Sequence, residues 1–143
     1  MSLVNVNVQA DCIDALRAEI KQKHPFVLYK FTNNFSEVVL DRIGDAKEGL
    51  GELVASFPDA ECRFATVEIN YDLAANEGKR SKTLFLMWCP MEAPVKARLI
   101  FASAAKAFKT VLANYGVGLT VQCGDRADLS HEALLAKCKK IAA

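Results

Sequence analysis

Apolar and polar positions alternate between two periods along the chain. Ile13, Leu16 and Ile20 recur at helical spacing, and Asp11 can cap a helix running to about Lys23. His24-Pro25 ends it, because the residue before proline leaves the helical region. PFVLYKF and SEVVLDRI then predict two strands joined by a turn at Thr32-Asn33-Asn34. GDAKEGLGELVASFPD predicts a helix weakened by Gly49 and Gly51 and closed by Pro58. CRFATVEINY alternates as a half-buried strand does. NEGKRSK predicts a basic turn, and TLFLMWC, apolar almost throughout, predicts a central strand covered on both faces. Pro94 suits the first position of a helix that runs to about Asn114 and stops at Tyr115-Gly116-Val117-Gly118. LTVQC predicts a short strand and SHEALLAKCKKIA a last helix, with Glu132 in its first turn and Lys137, Lys139 and Lys140 in its last, as the helix dipole favours. The sum is a single α/β domain over residues 1–143: a mixed central sheet of about five strands with helices on both faces.

The helix beginning PVKARLIFASAAKAFKTVL carries more apolar residues than one face needs. At about 100° per residue, Ala97, Ile100, Phe101, Ala104, Phe108, Val111 and Leu112 fill one sector and form the core stripe. The other sector holds Val95, Lys96, Arg98, Leu99, Ala102, Ser103, Lys106 and Lys109. Two explanations fit. A loop or terminus covers Val95 and Leu99, or they form an exposed apolar ridge with a cationic border, as in helices that enter a partner's groove.

Composition narrows the class. With 143 residues, 52% hydrophobic and 24% charged, the chain can bury a core and is not disordered. A net charge of +1 gives no global attraction to nucleic acid, so any basic patch is local. The clusters are Lys79-Arg80-Ser81-Lys82 and Lys137, Lys139 and Lys140. No apolar run approaches the ~20 residues that span a bilayer. Cys12, Cys62, Cys89, Cys123 and Cys138 are odd in number and lack metal spacing, so free thiols in a reducing intracellular compartment are expected, with no metal. Cys89 is expected to be a buried structural cysteine and Trp88 a core residue.

Little suggests catalysis. Ser103-Ala104-Ala105-Lys106 matches S-x-x-K, but its companion motifs are missing. His24 and His131 have no partner at a telling spacing, and no phosphate-binding glycine loop occurs. Asp41, Glu68 and Asp72 fit a solvated strand edge. The expectation is a binding protein without enzymatic activity or cofactor.

The segment NEGKRSKTLFLMWCPMEAPVKARLIFASAAKAFKTVL closely resembles the actin-depolymerising factor/cofilin family. The matching features are the GKRSK turn, Trp88-x-Pro90, the APVKARL helix start and Phe101-Ala102-Ser103; the rest of the chain aligns more loosely but in order. The resemblance implies the actin-depolymerising factor homology fold and an activity: binding monomeric and filamentous actin, severing filaments and speeding turnover. It places Lys96, Arg98, Leu99 and Ser103 on the helix surface that docks between two actin subdomains; Val95, Lys106 and Lys109, on the same outer sector, join them as candidate actin contacts. Lys79, Arg80, Lys82, Lys137 and Lys140 fall on the filament site, and Ser2, Leu3, Val4 and Asn5 on the N-terminal contact. It further implies phosphoinositides as a second ligand of the basic surfaces, a monomeric state, and a place in the cytoplasm and cytoskeleton. A mainly monomer-sequestering member, or a phosphoinositide-binding module with actin secondary, are the rival readings. Departures from the family pattern are Val4 at the regulatory serine, with Ser2 displaced from it, Asn5 at the following glycine, Ala136 at an acidic position, and Lys106 where an acidic residue is common.

Overall fold

The computed structural model describes residues 7–21, 24–32, 36–72 and 78–142. The elements in order are β1 (Asn7–Val8), α1 (Ala10–Ile20), β2 (Phe26–Phe31), β3 (Glu37–Ile43), α2 (Leu50–Ser56), β4 (Arg63–Asp72), β5 (Lys79–Trp88), α3 (Val95–Ala113), β6 (Leu119–Cys123), a 3-10 turn (Arg126–Leu129) and α4 (His131–Ala142). Among the described residues the strands form one six-stranded sheet in the order β1-β3-β2-β4-β5-β6. The two outer pairings, β1 with β3 and β5 with β6, are parallel, and the rest are antiparallel.

Strand alternation decides which helices cover which face. Val27, Tyr29, Phe64, Phe85 and Met87 point to one side, where Cys12, Ala15 and Leu16 of α1 and Phe101, Ala104, Ala105, Phe108 and Leu112 of α3 meet them. Phe26, Leu28, Ala65, Val67, Ile69, Leu84, Leu86 and Trp88 point to the other, against Leu53 of α2 and Leu134 and Cys138 of α4. Residues 84–88 of β5 are buried on both faces, as their unbroken apolar run predicts. Trp88 is core; its indole N–H donates to the Pro58 carbonyl at 2.7 Å and its ring stacks on Phe57 at 5.1 Å.

Several expectations are corrected. The sheet has six strands rather than five, because Asn7 and Val8 pair in parallel with Glu37 and Val38. Gln9, not Asp11, precedes α1, and the helix ends at Ile20. The buried stripe of α1 is Cys12, Ala15, Leu16 and Glu19, while Ile13 and Ile20 are half-buried. α2 starts only at Leu50, with Gly49 as its cap and Glu52 accepting from the Gly49 amide. Lys79–Lys82 is not a turn: it is the first half of β5, paired with Ile69–Asp72. Pro94 precedes α3 as its cap rather than opening it. α3 closes on Gly116, whose φ of +81° suits glycine alone, and the Val117 amide reaches back to the Leu112 carbonyl at 3.1 Å.

One buried polar group is unexpected. Glu19 is fully buried under α1, and its Oε1 accepts from Thr66 Oγ1 at 2.5 Å. Tyr29 donates to the same hydroxyl at 2.9 Å, and Glu19 Oε2 has no partner among the described residues. Burial holds the Glu19 carboxyl well above its ordinary 4.5; the Thr66 hydrogen bond opposes this and the Glu68 charge adds to it. The folded protein therefore keeps a proton there that the unfolded chain releases above its ordinary value. Stability is full below that value and falls as pH rises toward the folded one, by up to ~1.4 kcal/mol per pH unit. Comparing urea unfolding of the native chain and Glu19→Gln from about pH 5 to about pH 7 isolates this slope: the native chain loses stability relative to the variant. Parallel curves would show that Glu19 stays ionised.

Candidate functional site

The first turns of α3 carry the feature that periodicity left open. Val95 and Leu99 are 62% and 63% exposed, so no described segment covers them. Ala102 is exposed with them, and Phe101, Ala104, Phe108 and Leu112 are buried on the opposite side. Ala105 joins that buried stripe, whereas Ala97, Ile100 and Val111 sit at its half-buried borders. The sheet anchors the helix through rings: Phe101 stacks on Phe64 at 4.2 Å, and Phe108 meets Tyr29 edge-on at 5.0 Å.

Charge surrounds the ridge without compensation. Lys96, Lys106 and Lys109 are exposed, and Arg98 and Ser103 are half-buried. Among the described residues no carboxylate lies within ion-pair distance of Lys96, Arg98, Lys106 or Lys109; the paired cations are Lys30, Arg42, Arg63 and Arg126. Arg98 Nε donates to the Ala93 carbonyl at 3.2 Å, which holds that guanidinium at the helix start. The N-terminus of α3 has no side-chain cap and no acidic residue in its first turn. Lys96 even opposes the helix dipole there. Unsatisfied amides, uncompensated cations and exposed aliphatic groups thus converge on one end of the helix. An acidic, partly apolar partner surface would relieve all three.

Met91 belongs to the same region and was not expected. It is 82% exposed in the loop four residues ahead of Val95. It lies before the helix, in the turn that the Ala93 amide closes on the Pro90 carbonyl at 3.1 Å, so no helical period marks it. A cavity of about 190 Å³ lies beside the start of α3, lined by Phe31, Glu61, Cys62, Arg63, Pro94 and Ala97 among others.

The second group of cations lies elsewhere. Lys82 is half-buried on the α4 side of β5, and Lys137 is exposed on α4. Burial raises the Cys138 thiol, and the nearby Lys82 ammonium opposes that rise, which places Lys82 beside α4. Lys79 and Arg80 are in β5 and Lys140 is in α4 by backbone; their side chains lie outside the described residues, as do Ser2, Leu3, Val4 and Asn5 altogether. From Lys82 to Trp88, where the chain leaves for α3, β5 spans about 20 Å. Lys82 and Lys137 therefore lie on the α2/α4 face, with the sheet between them and the first turns of α3.

Asp41 is not simply solvated: it pairs with Arg63 at 3.1 Å and Lys30 at 3.8 Å. Glu68 accepts from Ser81. Cys89 is half-buried rather than buried. His24 is half-buried and His131 is exposed at the start of α4. No group of acidic, histidine or cysteine side chains able to hold a metal occurs among the described residues, and no helix among them is long and apolar enough to cross a membrane.

Comparison with known proteins gives the architecture a family. The family model described as cofilin/tropomyosin-type actin-binding protein matches residues 5–139. Cofilin of Kluyveromyces lactis is 29% identical over 99% of this chain and 98% of its own length. Actin-depolymerizing factor 1 of Petunia hybrida is 30% identical over 89% of this chain and 90% of its own. The crystal structure of Streptomyces griseoflavus cofilin superposes with a TM-score of 0.83 over 95% of this chain and 98% of that one, at 23% identity, and so shares the fold. The family model covers nearly the whole chain, and the chain belongs to the family of cofilin/tropomyosin-type actin-binding proteins.

Proposed function

We propose that the protein binds monomeric and filamentous actin through the first turns of α3, and that it promotes filament disassembly and turnover. The observation that carries this reading is the exposed Val95–Leu99 ridge beside Lys96 and Arg98, which have no acidic partner among the described residues. Burying the two aliphatic side chains would contribute roughly 1.5–3 kcal/mol each. The cations would steer an acidic partner and fix its orientation. Ser103, Lys106 and Lys109 extend the contact along the helix, and Ser2, Leu3, Val4 and Asn5 contribute from the N-terminus. Phosphoinositides compete for the same basic surfaces. The protein acts as a monomer on the cytoplasmic actin cytoskeleton and makes or breaks no bonds.

Lys79, Arg80, Lys82, Lys137 and Lys140 engage a second subunit of the filament. Support comes from the separation of Lys82 and Lys137 from the α3 ridge, since one rigid body with two remote surfaces can bridge two subunits. Severing follows by differential binding: a protein that prefers one filament twist shifts the filament toward it and strains the boundary with bare segments. Disassembly of pyrene-labelled actin filaments, with direct imaging, tests the whole reading. New ends appearing along filaments support severing. Slow loss without new ends would indicate monomer sequestration, and no change in either assay would overturn the reading.

The division of labour gives a separate expectation. Lys79→Ala with Lys82→Ala weakens co-sedimentation with filaments about 10-fold and changes monomer affinity about 2-fold or less, because each lost charge contact at a rim acts only where it is used. Equal losses in both assays would remove the case for two surfaces.

A further inference from the structure

Two thiols meet at the α3 end of the sheet. Cys62 precedes β4 and Cys89 follows β5, one step beyond the Arg63↔Trp88 pair that closes the antiparallel register. Their sulfur atoms are 3.7 Å apart. The Cys89 amide donates away from β4, to the Cys123 carbonyl at 2.8 Å. Cys62 and Cys89 thus face each other at a non-hydrogen-bonded position, where opposed Cα atoms approach to about 4.5 Å. That separation lies inside the range a disulfide spans, about 4.4–6.8 Å.

Both side chains lie on the α1/α3 face. Cys62 belongs to the core there and Cys89 packs against it. Cys123 is the other thiol near Cys89, but it lies in the opposite core and its Sγ donates to the Met87 carbonyl at 3.5 Å. Cys12 also donates to a carbonyl, that of Val38. Among the described thiols, Cys62 is the one placed to meet Cys89.

We propose that Cys62 and Cys89 form a reversible dithiol–disulfide site that takes hydrogen peroxide as its oxidant. Cys89 is half-buried and meets the peroxide first, while Cys62 is only 6% exposed. The Cys89 sulfur attacks one peroxide oxygen; the O–O bond breaks, an S–O bond forms, and water leaves with the thiol proton. Cys62 then attacks the sulfenic sulfur of Cys89; the S–S bond forms, the S–O bond breaks, and hydroxide takes up the Cys62 proton as water. Two thiols and one peroxide give one disulfide and two waters. Each sulfur gives up one electron, and the two peroxide oxygens are reduced.

The surroundings favour this order. Burial and the adjoining Cys89 push the Cys62 thiol up to about 12, while the Arg98 and Arg63 guanidiniums pull it down. The two arginines support the Cys62 thiolate as it attacks the sulfenic sulfur. Cys62 also lines the cavity beside Pro94 and Ala97.

The test uses the full chain exposed to hydrogen peroxide and then denatured in an alkylating reagent. Two of the five thiols are expected to be lost, the intact mass falls by two hydrogens, and digestion yields one linked peptide pair containing Cys62 and Cys89. Dithiothreitol restores all five. In Cys62→Ser, Cys89 accumulates as a sulfenic acid trapped by dimedone; in Cys89→Ser, Cys62 stays reduced at the same dose. Five surviving thiols would overturn the proposal, as would a Cys89–Cys123 link or conversion of Cys89 to its sulfinic acid with Cys62 free. Mapping on the native chain decides the matter even if a variant fails to fold. No actin enters the assay, so its outcome is independent of the binding proposal.

Discussion

Replacing Lys96 and Arg98 together by alanine lowers affinity for monomeric actin on the order of 100-fold, about 2.7 kcal/mol, and removes co-sedimentation with filaments. The size follows from position. Both cations stand beside exposed aliphatic side chains, so they would be desolvated with that ridge at the centre of a contact rather than at its rim. The fold should barely respond. Lys96 is exposed and opposes the helix dipole, so its loss costs nothing at the helix start. Arg98 gives up one hydrogen bond, to the Ala93 carbonyl, worth about 1 kcal/mol. Equilibrium binding to labelled monomer, with thermal unfolding alongside, measures both quantities. Intact binding would show that the ridge is not the actin surface; lost binding with a collapsed melting curve would show only that the helix start is structural.

Phe64→Ala should produce the largest loss of stability, about 3–5 kcal/mol, with a thermal midpoint lower by about 10 °C or more. Phe64 is fully buried and its ring touches four others: Phe101 at 4.2 Å, Phe108 at 5.3 Å, Phe85 at 5.5 Å and Phe31 at 5.6 Å. These rings come from β2, β4, β5 and α3, so one truncation opens a cavity where strand and helix layers meet. Neighbouring rings cannot all close it, because each is held by its own contacts. Urea unfolding at one pH measures the loss. A cost below ~2 kcal/mol would mean that α3 settles into the space, and actin affinity would then fall with it.

The sequence and the structure agree most closely where burial imposes a period. The TLFLMWC run, the CRFATVEINY alternation and the Phe101–Leu112 stripe of α3 are each dictated by a covered face, and each appears where the pattern puts it. Agreement fails where long-range pairing decides. Lys79–Lys82 has the composition of a turn, yet it is a strand because Ile69–Asp72 across from it continues the ladder. Asn7 and Val8 are too few to show a period and become a strand only by lying beside Glu37 and Val38. Glu19 shares a face with Cys12, Ala15 and Leu16, and local sequence cannot tell that Thr66, 47 positions away, supplies its hydrogen bond. At the candidate site, periodicity isolates Val95 and Leu99 but cannot say whether anything lies over them; their exposure shows that no described segment does. Met91 fell outside any helix and had no period to reveal it.

The surroundings of Trp88 have a practical consequence. It is the chain's one tryptophan, stacked on Phe57, bonded to Pro58, and capped by the Arg126 guanidinium 5.1 Å from its ring. All three contacts lie on the α2/α4 face, with the sheet between them and the ridge of α3. Its emission is therefore a built-in optical gauge of that half of the core: blue-shifted while the stack holds and red-shifted when water enters. Substitutions along the ridge leave the gauge in place, so the unfolding of every ridge variant can be followed without a label on one common spectral scale.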